Sequence, residues 1–177
     1  MLVNVSQLLK EPVGSYRKLK IDERVGPENG RGGFHVTGDV TLTRIDKGVL
    51  AKGELCSSIS SACSRCLKEV NYPFKFTLQE VFSPTIDINT GLPVEVREDT
   101  FVIDEHHNLD LSDALYQSAS LALPMRILCR EDCAGMCPVC GKNLNESKCD
   151  CKTEKIDQRW SALERLKKEE PENGTTT

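Results

Sequence analysis

FHVTGDVTLTRIDKG, residues 34–48, is the stretch on which the fold turns. Phe34, Val36, Val40 and Leu42 share one parity. A period of two is that of a strand with one buried face, and Asp46-Lys47-Gly48 supplies the turn that ends it. The next run, VLAKGELCSSISSA (49–62), alternates less cleanly but leads to Cys63-Ser64-Arg65-Cys66. Period two then returns in Val70, Tyr72, Phe74, Phe76 and Leu78. Three antiparallel strands follow from this pattern, with the cysteine pair at the turn between the second and third. One face of such a sheet buries apolar side chains and the other stays wet.

Toward the start of the chain, residues 1–10 read as a short strand (Val3, Val5) running into a brief helical turn. In SYRKLKIDERV, Tyr16, Lys18, Lys20 and Asp22 alternate with Arg17, Leu19, Ile21 and Glu23, a weakly strand-like pattern, and glycines at 26, 30, 32 and 33 mark a loop. Toward the other end, residues 83–99 hold Pro84, Gly91 and Pro93 in a sparse apolar background and read as a mobile acidic loop. Thr100 to Ile103 returns to the sheet. Leu111, Leu115, Ser118 or Ala119, and Ala122 then recur at helical spacing, with Asp110 as N-cap, Asp113 three residues later and Pro124 as the stop. Ile156, Trp160, Leu163 and Leu166 predict a final amphipathic helix before a disordered tail. The fold class expected is α+β: a mainly antiparallel sheet packed with a helix, then a cysteine-rich metal knuckle and a terminal helix. The corresponding divisions are 1–124, 125–168 and 169–177.

With 177 residues, 38% hydrophobic and 28% charged, the chain suits one domain or one domain with a small appendage, and its low aromatic content leaves aliphatic side chains to fill the core. No stretch approaches the roughly 18 apolar residues of a membrane span, and MLVNVSQLLKEP lacks the features of a signal peptide, so a cytoplasmic location without membrane contact is expected. The net charge of −4 is uneven: residues 1–82 carry twelve Lys/Arg against nine Asp/Glu, and residues 83–113 one against eight. An overall acidic chain argues against coating a polyanion by electrostatics alone, and any such contact falls to a local basic patch.

Nine cysteines, unevenly placed in a chain without a secretion signal, read as reduced thiols. Six of them, Cys129, Cys133, Cys137, Cys140, Cys149 and Cys151, lie within LCREDCAGMCPVCGKNLNESKCDC (128–151). Four thiolates close a tetrahedral zinc shell and leave no position for substrate, so such a site builds structure. Cys137-Pro-Val-Cys140-Gly141 has the spacing and following glycine of a metal knuckle. Cys149 and Cys151, alternate residues of an extended segment, complete the expected structural Zn2+ site, with Cys129 and Cys133 as reserve ligands. Iron–sulfur ligation and uncoordinated thiols are the alternatives. Cys63 and Cys66 admit three readings: a redox pair, a second metal contact, or an inert structural pair. His35, His106 and His107 lack any nucleophile or carboxylate at useful spacing and read as surface residues. All-cysteine ligation without an HExxH-like helix argues against a hydrolase, and no small-molecule substrate or catalytic residue is expected.

The order Cys63-Ser-Arg-Cys66-Leu, Val81-Phe-Ser-Pro84, Leu121-Ala-Leu-Pro124, Asp132-Cys133-Ala-Gly-Met-Cys137-Pro-Val-Cys140-Gly-Lys-Asn143-Leu-Asn145, Cys149-Asp-Cys151 and Asp157-Gln-Arg159 resembles the YceD-type family, named for accumulation of large-subunit ribosomal RNA. The resemblance spans roughly residues 1–168. It implies a non-catalytic role in the synthesis, processing or stability of 23S ribosomal RNA and in large-subunit formation. The partner implied is ribosomal RNA or a large-subunit ribosomal protein. Two basic groups are the candidate contacts: Arg17, Lys18, Lys20 and Arg24 on the sheet, and Arg126, Arg130 and Lys142 around the knuckle. The alternative functions are a thiol redox protein using Cys63 and Cys66, or a zinc-knuckle adaptor for another protein.

Overall fold

The protein is described by a computed structural model that covers residues 1–26, 33–88, 90–95 and 100–151. Its frame is a meander of long strands. β2 (Tyr16–Val25), β3 (Phe34–Ile45), β4 (Gly48–Ala62) and β5 (Glu69–Pro84) pair antiparallel in succession. Each carries the alternation that makes one face apolar. Ile21, Val36, Val40, Leu42, Ala51, Leu55, Leu78 and Phe82 are almost wholly buried, whereas Lys18, Lys52, Lys75 and Gln79 lie on the exposed face.

Three short strands extend the sheet: β1 (Leu2–Asn4), β6 (Phe101–Ile103) and β7 (Asn108–Asp110), giving the order β1-β7-β6-β5-β4-β3-β2. β6 runs parallel to β5, with Phe82 opposite Phe101, and their rings stack at a centroid distance of 5.3 Å. The three antiparallel strands expected over 34–78 are β3, β4 and β5; the strand-like readings near Val3, at 16–23 and at 100–103 correspond to β1, β2 and β6, and β7 is the strand the sequence did not suggest. The sheet accounts for most of the described fold, with α1 (Ser6–Lys10) and α2 (Ser112–Ala122) as the two helices among the described residues. The α+β reading holds only in its coarse form of a mainly antiparallel sheet with a helix against it. A three-residue strand has no measurable period, and only its partner defines it.

α2 closes the buried face. Ala114, Leu115 and Ala119 reach the core, as does Leu111 just before the helix. Phe34 meets Phe74 edge-on at 5.9 Å and Tyr116 at 5.6 Å, joining sheet to helix. Asp110 is not the N-cap: Leu111 holds that position and makes no side-chain cap bond. Asp110 Oδ1 instead accepts the Ser112 N–H at 2.9 Å and the Met1 ammonium at 3.0 Å. The helix extends to Ala122, short of Pro124, because the residue before a proline is driven to extended backbone, and Leu123 has φ −66° and ψ 132°.

Within the segment read as an acidic loop, residues 85–88 and 90–95 fold back on one another. The Val94 N–H donates to the Thr85 carbonyl at 2.8 Å, and the Asp87 N–H to the Leu92 carbonyl at 2.9 Å. Residues 96–99, the predicted helix around Trp160 and the tail lie outside the described residues.

Candidate metal centres

The β4–β5 connection is a tight loop whose ends are Cys63 and Lys68. The Cys63 N–H donates to the Lys68 carbonyl at 2.8 Å, and the Leu67 N–H to the Cys63 carbonyl at 2.9 Å. The same closure recurs further on: the Cys137 N–H donates to the Lys142 carbonyl at 2.8 Å, and the Gly141 N–H to the Cys137 carbonyl at 2.9 Å. Cys63-Ser-Arg-Cys66-Leu-Lys68 and Cys137-Pro-Val-Cys140-Gly-Lys142 are therefore two copies of one knuckle. The residue after the second cysteine is left-handed in both, with φ 59° at Leu67 and 70° at Gly141. Such a turn aims successive N–H groups at the sulfur, as where the Val139 N–H approaches Cys137 Sγ at 3.4 Å.

Each knuckle receives a second pair of thiols. After α2 the chain returns to the hairpin tip, where the Ser64 N–H donates to the Ile127 carbonyl at 2.8 Å and the Arg65 guanidinium to the Cys133 carbonyl at 2.9 Å. This brings Cys129 and Cys133 onto the first knuckle. Cys66 and Cys129 sulfurs stand 3.7 Å apart, and Cys63 and Cys133 sulfurs 3.9 Å. The sulfurs of Cys63, Cys66, Cys129 and Cys133 all lie within 4.8 Å of one another, and so do those of Cys137, Cys140, Cys149 and Cys151. Four thiolates about 2.3 Å from one tetrahedral ion stand about 3.8 Å apart, and a disulfide would bring two sulfurs to about 2.05 Å. The distances suit a single ion per group. An iron–sulfur cluster of several irons spreads its cysteines over different metal atoms and holds them further apart.

Electrostatics point the same way. In the first group the Cys66 N–H draws the Cys63 thiol down to about 6, while burial, reinforced by the neighbouring thiols, pushes Cys129 up to about 12. In the second, the Cys140 and Val139 N–H groups draw Cys137 down to about 6, while the bond to Cys140 and burial push Cys151 up to about 12. Four crowded sulfurs cannot all ionise together unless a cation offsets their repulsion.

The groups differ in setting. Cys63, Cys66 and Cys133 are buried, whereas the second group has only Cys137 buried and Cys140 exposed. Between them sits Asn145. Its Nδ2 donates to Cys133 Sγ at 3.3 Å and to Asn143 Oδ1 at 2.8 Å, and its Oδ1 accepts from the Ala134 N–H at 2.9 Å and from Arg130 at 2.8 Å.

The structure thus brings Cys137, Cys140, Cys149 and Cys151 together. It places Cys129 and Cys133 with Cys63 and Cys66 in a group of their own, not in reserve for the first four. The signal that the sequence offered for this second group is the C-x-x-C-x-K spacing, present at both 63–68 and 137–142. The basic residues are less closely grouped. Lys18, Lys20 and Arg24 are exposed on one face of β2, whereas Arg17 has the opposite parity and bonds Gln7 and Glu11. Arg130 pairs with Asp132 at 3.3 Å and bonds Asn145, and Arg126 and Lys142 are exposed. No helix of the described residues is long and apolar enough to cross a membrane.

Residues 51–167 match the family model described as Large ribosomal RNA subunit accumulation protein YceD. An uncharacterized protein of Mycobacterium tuberculosis is 34% identical over 125 residues, which are 71% of this chain and 58% of that protein. The uncharacterized protein YlbN of Bacillus subtilis is 31% identical over 112 residues, 63% of this chain and 62% of the relative. A chloroplastic protein of Arabidopsis thaliana named Large ribosomal RNA subunit accumulation protein YCED homolog 1 is 34% identical over 65 residues, 37% of this chain and 20% of its own. The chain thus matches about three fifths of the length of these bacterial relatives. No solved structure matches it significantly.

Proposed function

Because the chain belongs to the YceD family, we propose that it is a non-catalytic cytoplasmic factor supporting the accumulation of 23S ribosomal RNA and the formation of the large ribosomal subunit. Each four-cysteine group takes one structural zinc ion in this reading. The observation that carries the structural role is the first group: Cys63 and Cys66 come from the turn between β4 and β5, and Cys129 and Cys133 from the segment after α2. An ion there fastens the C-terminal segment to the sheet. Four protein ligands fill a tetrahedral shell and leave no coordination position for a substrate. The same crowding favours ligation over a two-thiol redox role for Cys63 and Cys66.

The partner in this reading is ribosomal RNA or a large-subunit ribosomal protein. Zinc with four thiolates carries a charge of about −2, so two loaded sites make an acidic chain more acidic. Contact therefore falls to local basic residues, with Lys18, Lys20 and Arg24 on the open sheet face and Arg126 and Lys142 beside the metal sites.

The test is made in cells lacking the chain and complemented with the parent, Cys66→Ser or Lys18→Glu/Lys20→Glu/Arg24→Glu forms. Loss of 23S relative to 16S ribosomal RNA, restored by the parent alone, supports the proposal. A normal ratio without the chain would overturn it. In parallel, elemental analysis of the purified protein should give about two zinc ions per chain.

A further inference from the structure

The two cysteine groups share no ligand, yet a side chain from the loop of one bonds a sulfur of the other. Asn145 lies between Cys140 and Cys149, inside the loop that the second group closes. Its amide N–H, however, points at Cys133 of the first group. All four hydrogen-bonding positions of this amide are used, two N–H donors and two oxygen lone pairs, so the nitrogen can face the sulfur only if the oxygen faces Arg130 and Ala134. The loop is tied to the first group's segment elsewhere too: the Leu144 N–H donates to the Gly135 carbonyl at 2.9 Å.

We infer that the two sites fill as a linked pair, and that Asn145 is the positioning residue that links them. This rests on the reading that both groups bind metal. An ion at Cys137, Cys140, Cys149 and Cys151 fixes both ends of the 141–148 loop and so presents the Asn145 amide to Cys133. The amide stabilises the Cys133 thiolate that the first ion requires. Partners that orient a ligand in this way typically contribute 10–100-fold in metal affinity. Linkage is reciprocal, so occupation of the first site strengthens the second by the same factor.

The test titrates the reduced, metal-free full chain with zinc against a competing chelator, with cobalt(II) as the spectroscopic probe of thiolate ligation. Cys140→Ser disables the second group and should weaken the first 10–100-fold, and Cys66→Ser should weaken the second by the same factor. Asn145→Ala should weaken the first group by a similar amount, and in that background Cys140→Ser should cost the first group less than about threefold more. Asn145→Asp keeps the acceptor for Arg130 and Ala134 while removing both N–H donors. It should reproduce the loss or exceed it, because its carboxylate also repels the Cys133 thiolate, while the bonds to Arg130 and Ala134 that hold the loop remain. Two ions bound independently by the parent chain, or coupling that persists in both Asn145 variants, would overturn the linkage alone. Failure to bind any ion would overturn the metal reading with it.

Discussion

Leu67 shows at a single residue how the first knuckle differs from the second. It holds φ at 59°, a conformation that costs a residue with a Cβ roughly 1–2 kcal/mol, in the position where the second knuckle has Gly141. The side chain is 61% exposed, so little packing offsets that cost. Leu67→Gly should therefore stabilise the metal-loaded chain by about 0.5–1 kcal/mol, after allowance for the greater freedom of glycine when unfolded, and raise its thermal midpoint by about 1–4 °C. A lower midpoint in a melting scan would show that the leucine side chain contributes more than its exposure suggests. The same residue explains why this site was harder to see. Glycine after Cys140 advertises the left-handed turn, whereas leucine after Cys66 conceals it, and the sequence alone favoured an inert structural pair over a metal contact or a redox pair.

At the scale of elements, legibility followed length. The strands around 34–48 and 70–78 run for 10 residues or more, enough for alternation to be counted, and the turn at Cys63–Cys66, between β4 and β5, is where the sequence put it. β1, β6 and β7 have three residues each, and the parallel pairing of β6 with β5 is a long-range fact without any local trace. The partners of Cys129 and Cys133 were hidden for the same reason: the Ser64–Ile127 and Arg65–Cys133 bonds that bring them to the hairpin tip join residues more than sixty positions apart. α2 was readable from its stripe, and its central anchor is Leu115, with no exposed surface. Leu115→Ala should cost about 2–5 kcal/mol, measured as a reduced denaturant midpoint, by removing apolar area and leaving a cavity under the helix. Since the site lies beyond the helix, the variant should still bind two ions while folded.

For the whole molecule, the eight clustered thiols leave Cys56, exposed on β4, as the ninth. Brief alkylation of the metal-loaded native chain should therefore add one label, at Cys56, and alkylation after a strong chelator should add nine. Uniform early labelling would show that the groups hold no metal. Chelation should also free the segment after α2 to proteases while the sheet persists, because the main core of sheet and helix residues contains no ligand.

Cys66 and Cys129 are 63 residues apart in one four-thiol group. A ribosome adding roughly 5–20 residues per second takes about 3–13 s to cross that interval. During that time the hairpin can already be paired, but its two thiols must wait for the partners that, in the proposed site, would enclose an ion with them. A nascent chain would spend those seconds as an open two-thiol chelate, vulnerable to oxidants and to capture by copper, and metal supply at the exit of synthesis would then set the yield of the mature protein.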